Sequence, residues 1–196
     1  MLWPSLIVLV LLMTCCRQLG VGKDCAGHLI SFKSLFPLAQ DFALHHDPDY
    51  RLVEVMQIVP LSGCTNNTVD RVRFTFSVQR DGQCHDCFVE MGNQKEPPII
   101  KEDIHACGPG DEFKENPIDT QQWAIDSVQA FQLAQKEGGK SLIAMYEDTK
   151  LWGIVWLNRD PSLQHNVWTI LYRDLEREQL FIQLNADTGD LLERAP

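Results

Sequence analysis

Apolar residues change their period several times along the chain, and each change marks an element. Phe32, Leu35, Phe36, Ala39, Phe42 and Ala43 recur at three- and four-residue spacing, which predicts an amphipathic helix over 31–45. Ser31 or Ser34 is its N-cap, and a Ser34 cap would put Pro37 in the first turn, where a missing N–H costs little. After the break at Asp47-Pro48-Asp49 the period drops to two, predicting strands over 51–59, 72–78 and 88–91. Asp81-Gly82 is a hairpin turn signal, and Pro97-Pro98 leads out of the third strand.

The same order then recurs. From Pro117, with Asp119 or Thr120 as cap, Trp123, Ala124, Ile125, Val128, Phe131, Leu133 and Ala134 predict a second helix that Gly138-Gly139 stops. Strands are expected over 142–146, 151–157, 167–172 and 179–184, followed by the turn Asp187-Thr188-Gly189-Asp190 and a short Leu191-Leu192-Glu193. The pattern predicts an α+β chain of two tandem modules, each a helix packed on a three- to four-stranded antiparallel meander. The first, Cys-rich module spans 31–107, a Gly-, Pro- and charge-rich linker 108–116, and the second module 117–196.

The second module resembles a PepSY-type domain. The likeness lies in the helix of Gln122 to Gln135, the aromatic-rich Val167-Trp168-Thr169-Ile170-Leu171-Tyr172, the strand Leu180 to Asn185, and the closing Asp187-Thr188-Gly189-Asp190-Leu191-Leu192. The first module resembles a diverged copy, with Gly92-Asn93 in place of the Asp-Thr-Gly turn. That resemblance implies a cystatin-like layout, occurrence in exported bacterial proteins, a binding or peptidase-inhibiting role, and no catalytic residues. Gln57-Ile58-Val59-Pro60-Leu61 is similar to the hairpin that cystatins wedge into papain-like proteases, with Leu61 where close approach favours Gly. The alternative it implies is a cysteine-protease inhibitor.

The amino terminus points to an address. Leu6 to Met13 is an eight-residue apolar run, the length of a signal-peptide core and far short of the ~20 residues a spanning helix needs. Residues 1–14 are therefore expected to be a signal peptide and 15–30 a tether. Met13-Thr14-Cys15-Cys16 resembles a bacterial lipoprotein signal, which implies lipidation of Cys15 or Cys16 and a membrane anchor without a spanning helix. The alternative is simple secretion. A net charge of −10, shared as −5 on each side of Pro117, repels phosphate backbones, so nucleic acid is not an expected partner.

Seven Cys in an exported chain point to disulfides, with Cys25, Cys64, Cys84, Cys87 and Cys107 as candidates whose pairing the sequence leaves open. Cys84-His85-Asp86-Cys87 also has the spacing of a thiol redox pair, although the residues after it read as strand. A weaker metal alternative joins Cys84, Cys87, His105 and Cys107, ligands suited to zinc or copper. Asp187-Thr188-Gly189 matches the tripeptide of aspartic proteases but reads better as a turn. In a eukaryotic source, Asn66-Asn67-Thr68 would accept a glycan at Asn66. Together these features lead to an expectation of a non-enzymatic, cofactor-free protein that binds a protein or peptide partner in the cell envelope.

Overall fold

The computed structural model describes residues 29–62, 71–92, 97–108, 111–146, 150–174 and 177–196. The Ser31 side chain accepts the Ser34 N–H and opens α1 (Phe32–His46). Pro37 therefore lies deeper in the helix than a Ser34 cap would place it. A meander follows: β1 (Arg51–Pro60), β2 (Val72–Arg80), β3 (Gln83–Met91) and β4 (Ile99–Ala106). The next helical stretch is 19 residues long: α2 (Ser127–Ala134), a π turn (Gln135–Gly139) and α3 (Lys140–Met145). A second meander closes the chain, with β5 (Trp152–Asp160), β6 (His165–Arg173), β7 (Glu178–Asn185) and β8 (Leu191–Ala195).

All eight strands belong to one antiparallel sheet, ordered β4-β3-β2-β1-β5-β6-β7-β8. This overturns the expectation of two tandem helix-on-meander modules. β1 pairs with β2 on one side and with β5 on the other, from Glu54 opposite Asn158 to Pro60 opposite Trp152. The physical reason is in β1 itself, where Glu54 is the only charge between Leu52 and Pro60. A module ending at β1 would leave that apolar strand as a bare edge, and pairing with β5 removes it.

Three smaller expectations are also corrected. The predicted strand 142–146 is helical, because Gly138-Gly139 does not stop the helix. Gly138 adopts φ 119°, which bends the chain, whereas Gly139 stays helical and lies so close to the Tyr172 hydroxyl that any Cβ there would collide with it. The third strand begins at Gln83, ahead of the predicted Phe88. Finally, 99–106 forms β4, an edge strand whose mostly exposed side chains hide the alternation that reveals buried strands.

The register assigns each side chain to a face. Phe74, Phe76, Cys87, Val89, Val155, Leu157, Trp168, Ile170, Ile182 and Leu184 all enter one core beneath the helices. The N-termini of α1 and α2 meet there: the Phe32 N–H donates to Ser127 Oγ at 3.1 Å, and the Ser127 hydroxyl donates to Ile30 O at 2.8 Å. The Lys33 N–H donates to Asp126 Oδ1, so one carboxylate lies against the positive ends of two helix dipoles. Trp168 packs against Phe32 and Trp123 at centroid distances of 5.4 and 6.3 Å, and its indole N–H donates to Ile125 O.

Candidate functional site

The segment that joins the two halves crosses the sheet on the side away from the helices. Since Cys87, Val89 and Met91 point into the core, the alternating residues Cys84, Asp86, Phe88 and Glu90 of β3 face the opposite way. Cys84 is disulfide-bonded to Cys107, just beyond β4, with Cα atoms 5.1 Å apart. From there the chain runs behind β3. The Gly108 N–H donates to Asp111 Oδ2 at 2.9 Å, and a short 3-10 turn (Glu112–Glu115) brings Lys114 over Asp86.

Lys114 ends in a cage of acceptors. Its Nζ lies 2.7 Å from Asp86 Oδ2, 2.7 Å from Asp111 Oδ1 and 3.2 Å from His105 Nε2. The Ser77 hydroxyl donates to the other Asp86 oxygen at 2.7 Å. Burial by itself would depress the Lys114 pKa, but the bonds to Asp111 and Asp86 outweigh it and raise the value. The Lys114 ammonium and the Gly108 N–H hold the Asp111 carboxyl down at about 2. Lys114 and Asp111 thus hold each other in their charged forms, and the chemistry of the cluster is that of a fastener: it holds the connector to the sheet.

The metal quartet drawn from the sequence does not assemble. Cys84 and Cys107 are bound to each other, and Cys87 points into the core on the other face. Cys84 Sγ, a His105 nitrogen and an Asp111 oxygen do lie within 4.8 Å of one another. However, the sulfur is committed to a disulfide, and the Lys114 ammonium already sits among the carboxylates. The Cys84/Cys87 redox pair fails for the same geometric reason. Cys87 is a buried free thiol whose pKa burial pushes up to about 11, the opposite of an activated nucleophile. Cys15, Cys16, Cys25, Cys64 and Asn66 lie outside the described residues.

The inhibitor-like segment is equally unsuited to its suggested use. Gln57 is 1% exposed and its side chain accepts the Ile30 N–H, while Ile58 to Pro60 are paired along β5. A paired central strand cannot enter a protease cleft. Asp187-Thr188-Gly189 forms a turn at the end of β7, with the Asp187 and Thr188 N–H groups donating to Asn185 Oδ1. His46 lies at the end of α1, 3.5 Å from Glu102 of β4.

Sequence reasoning missed the helix-free face of the sheet as a surface in its own right. Met56 and Ile58 of β1, Ile154 and Trp156 of β5, Leu171 of β6 and Phe181 of β7 lie side by side there, linked by the pairs Met56–Trp156, Ile58–Ile154, Ile154–Leu171 and Leu171–Phe181. Ile58 is 49% exposed and its neighbours are half-buried, with neither helix over them. Toward β2–β4, Arg73 pairs with Glu54 and Lys101 with Glu90, each at 3.5 Å, while Arg173 of β6 borders the row beside Leu171 and Trp152. The available signal was the second apolar period in Trp152-x-Ile154-x-Trp156, set against the core-facing Val155 and Leu157. An antiparallel strand with a solvated face alternates apolar with polar, and β5 does not.

Among the described residues, the protein is an antiparallel sheet with the helices on one face and, on the other, the connector at one end and this apolar row beside it. No family model, no curated protein and no solved structure matches the chain.

Proposed function

We propose that the chain is an exported, non-enzymatic binding protein that docks a folded protein partner on the helix-free face of its sheet. The observation that carries this reading is the contiguous apolar row of Met56, Ile58, Ile154, Trp156, Leu171 and Phe181. Exposed apolar surface of this kind marks interaction sites, and aromatic and Met side chains are enriched in such interfaces. The partner surface that matches the row itself is apolar, with polar groups at its margin to meet Arg173 and Glu178.

Export is part of the same proposal. The Cys84–Cys107 disulfide fits an oxidising compartment, and the apolar run Leu6 to Met13 fits a signal segment, with lipid attachment at Cys15 or Cys16 as its anchored form. No helix among the described residues is long and apolar enough to cross a membrane. Kinship to PepSY-type modules belongs here as well, resting on the Val167 to Leu192 pattern.

The test is site-specific photocrosslinking. A benzophenone side chain placed at Ile58 should trap a discrete adduct in the native host, whereas one at the helix-side residue Leu38 should not. A protein that yields no adduct at Ile58, or the same adducts from both positions, refutes the docking face. Radiolabelled fatty acid that remains incorporated after Cys15→Ser and Cys16→Ser together would refute the anchor.

A further inference from the structure

Cys84 and His105 stand directly opposite each other on β3 and β4, on the face that the connector crosses, and Cys107 follows just beyond β4. The connector brings Asp111 back over them, so that Cys84 Sγ, a His105 nitrogen and an Asp111 oxygen lie within 4.8 Å of one another. The Cys107 sulfur joins the group through its bond to Cys84. Two cysteines, a histidine and an aspartate are thus gathered at one place. What keeps them from holding a metal in this state is the S–S bond, because the ligand is a thiolate and a disulfide has none to give.

The nitrogen and oxygen donors already converge on a cation. The Lys114 ammonium has donors only, so His105 Nε2 accepts from it at 3.2 Å and Asp111 Oδ1 does so at 2.7 Å. The other carboxylate oxygen, Asp111 Oδ2, accepts the Gly108 N–H at 2.9 Å and lies 3.6 Å from His105 Nε2. Nitrogen and oxygen ligands of one tetrahedral zinc ion stand about 3.3 Å apart, close to that spacing. The charges balance as well. Asp86, Asp111 and Lys114 leave the cluster one negative charge with the disulfide closed. Opening it adds two thiolates, which one zinc ion cancels, so Lys114 can keep its 2.7 Å bond to Asp86.

We infer that reduction of the Cys84–Cys107 disulfide converts this cluster into a zinc site with Cys84, Cys107, His105 and Asp111 as its four ligands. A dithiol supplies the electrons. Its thiolate attacks the Cys107 sulfur, which is partly exposed where Cys84 is buried, and the S–S bond breaks to leave a Cys84 thiolate. The second thiol of the reductant then closes its own disulfide and releases Cys107. Zinc takes both sulfurs as thiolates, and the two protons that the dithiol brought pass to water. The Lys114 ammonium gives up His105 and stays on Asp86. Four protein ligands close the coordination shell, so the site is structural. Disulfide and zinc are alternative clasps on the same loop, and either holds the connector to β3. Cys87 takes no part, because it points into the core on the other face. None of this depends on the docking face.

The full chain is reduced with dithiothreitol, freed of reductant and metal without air, and titrated with cobalt(II) and then with zinc against a chromogenic chelator. The expected result is one tight equivalent with the thiolate-to-metal bands of tetrahedral cobalt in the reduced chain, and none in the oxidised chain. Cys84→Ser, Cys107→Ser, His105→Ala and Asp111→Asn should each weaken zinc by about tenfold or more, whereas Cys87→Ala should leave it unchanged. His105→Ala and Asp111→Asn keep the disulfide, so their oxidised near-UV spectra establish folding before reduction. Equal zinc affinity in both redox states, no tight equivalent in the reduced chain, or indifference to His105→Ala and Asp111→Asn would overturn the inference. So would a reduced chain that loses its near-UV signal and does not regain it with zinc.

Discussion

Lys114 Nζ stands 2.7 Å from Asp86 Oδ2, and both side chains are nearly closed to solvent, at 7% and 2% exposure. Lys114 belongs to the connector and Asp86 to the third strand of the sheet, so the pair ties the crossing segment to the face it crosses. Removing one partner of a buried pair leaves an uncompensated charge, which costs far more than the pair contributes. Lys114→Met is therefore expected to destabilise the fold by about 3–5 kcal/mol, read as a lower urea midpoint at unchanged slope. Adding Asp86→Asn to Lys114→Met should restore part of that loss. A single variant as stable as the parent would show that the pair carries no such weight.

Acid should loosen the same fastener. The Asp111 carboxyl, held at about 2 in the folded protein by Lys114 and the Gly108 N–H, titrates from an ordinary value of 3.8 when unfolded. A folded-state pKa depressed below the unfolded one gives stability that is present above the unfolded value and lost as pH falls through the folded value. Stability should therefore fall between about pH 4 and pH 2 through this group, and Asp111→Asn should flatten that part of the curve in urea titrations at stepped pH.

The disulfide and the lone thiol should behave in opposite ways. Cys84 and Cys107 are separated by 23 residues, and opening a loop of that length returns about 3 kcal/mol of conformational entropy to the unfolded chain. Cys84→Ser with Cys107→Ser is expected to lower stability by that amount. Cys87, buried and with a raised pKa, should resist maleimide in the native protein at pH 8 and react promptly in denaturant, as counted by mass spectrometry. Rapid native labelling of Cys87 would contradict its placement in the core.

Gly139 tests the junction between the long helix and the sheet. It keeps helical angles, and the space where a Cβ would project holds the Tyr172 hydroxyl, which accepts a hydrogen bond from Gln135 Nε2 at 2.9 Å. Gly139→Ala should cost about 1–3 kcal/mol by overpacking, and adding Tyr172→Phe should relieve part of it. Thermal unfolding of the single and double variants measures both.

The sequence made parts of this legible because burial there is one-sided. β2 was readable from Val72, Phe74, Phe76 and Val78, which all face the helices while Arg73, Thr75 and Ser77 face away. β4 was not, since an edge strand such as Ile99–Ala106 exposes side chains on both faces and keeps its identity in backbone pairing alone. The stretch 142–146 was misassigned because a short apolar run fits strand and buried helix alike, and because Gly139 keeps helical angles against the distant Tyr172 where the Gly pair reads as a stop. At the candidate site, Cys84 and Cys107 were visible as candidates, but their pairing and the role of Lys114 depend on which face of β3 each residue occupies. The junction of β1 with β5 carries no local signal, because it joins residues about a hundred positions apart.

That junction decides what can be cut from this chain. The Gly- and Pro-rich stretch at 108–116 looks like a convenient place to divide a gene, yet a fragment ending there would carry β1 with half of its hydrogen-bonding groups bare over a ten-residue apolar strand. Such a fragment is expected to seek the missing strand in another copy of itself and to aggregate. The stretch 108–116 is thus a boundary of composition, while the hydrogen-bonded unit is the whole eight-stranded sheet.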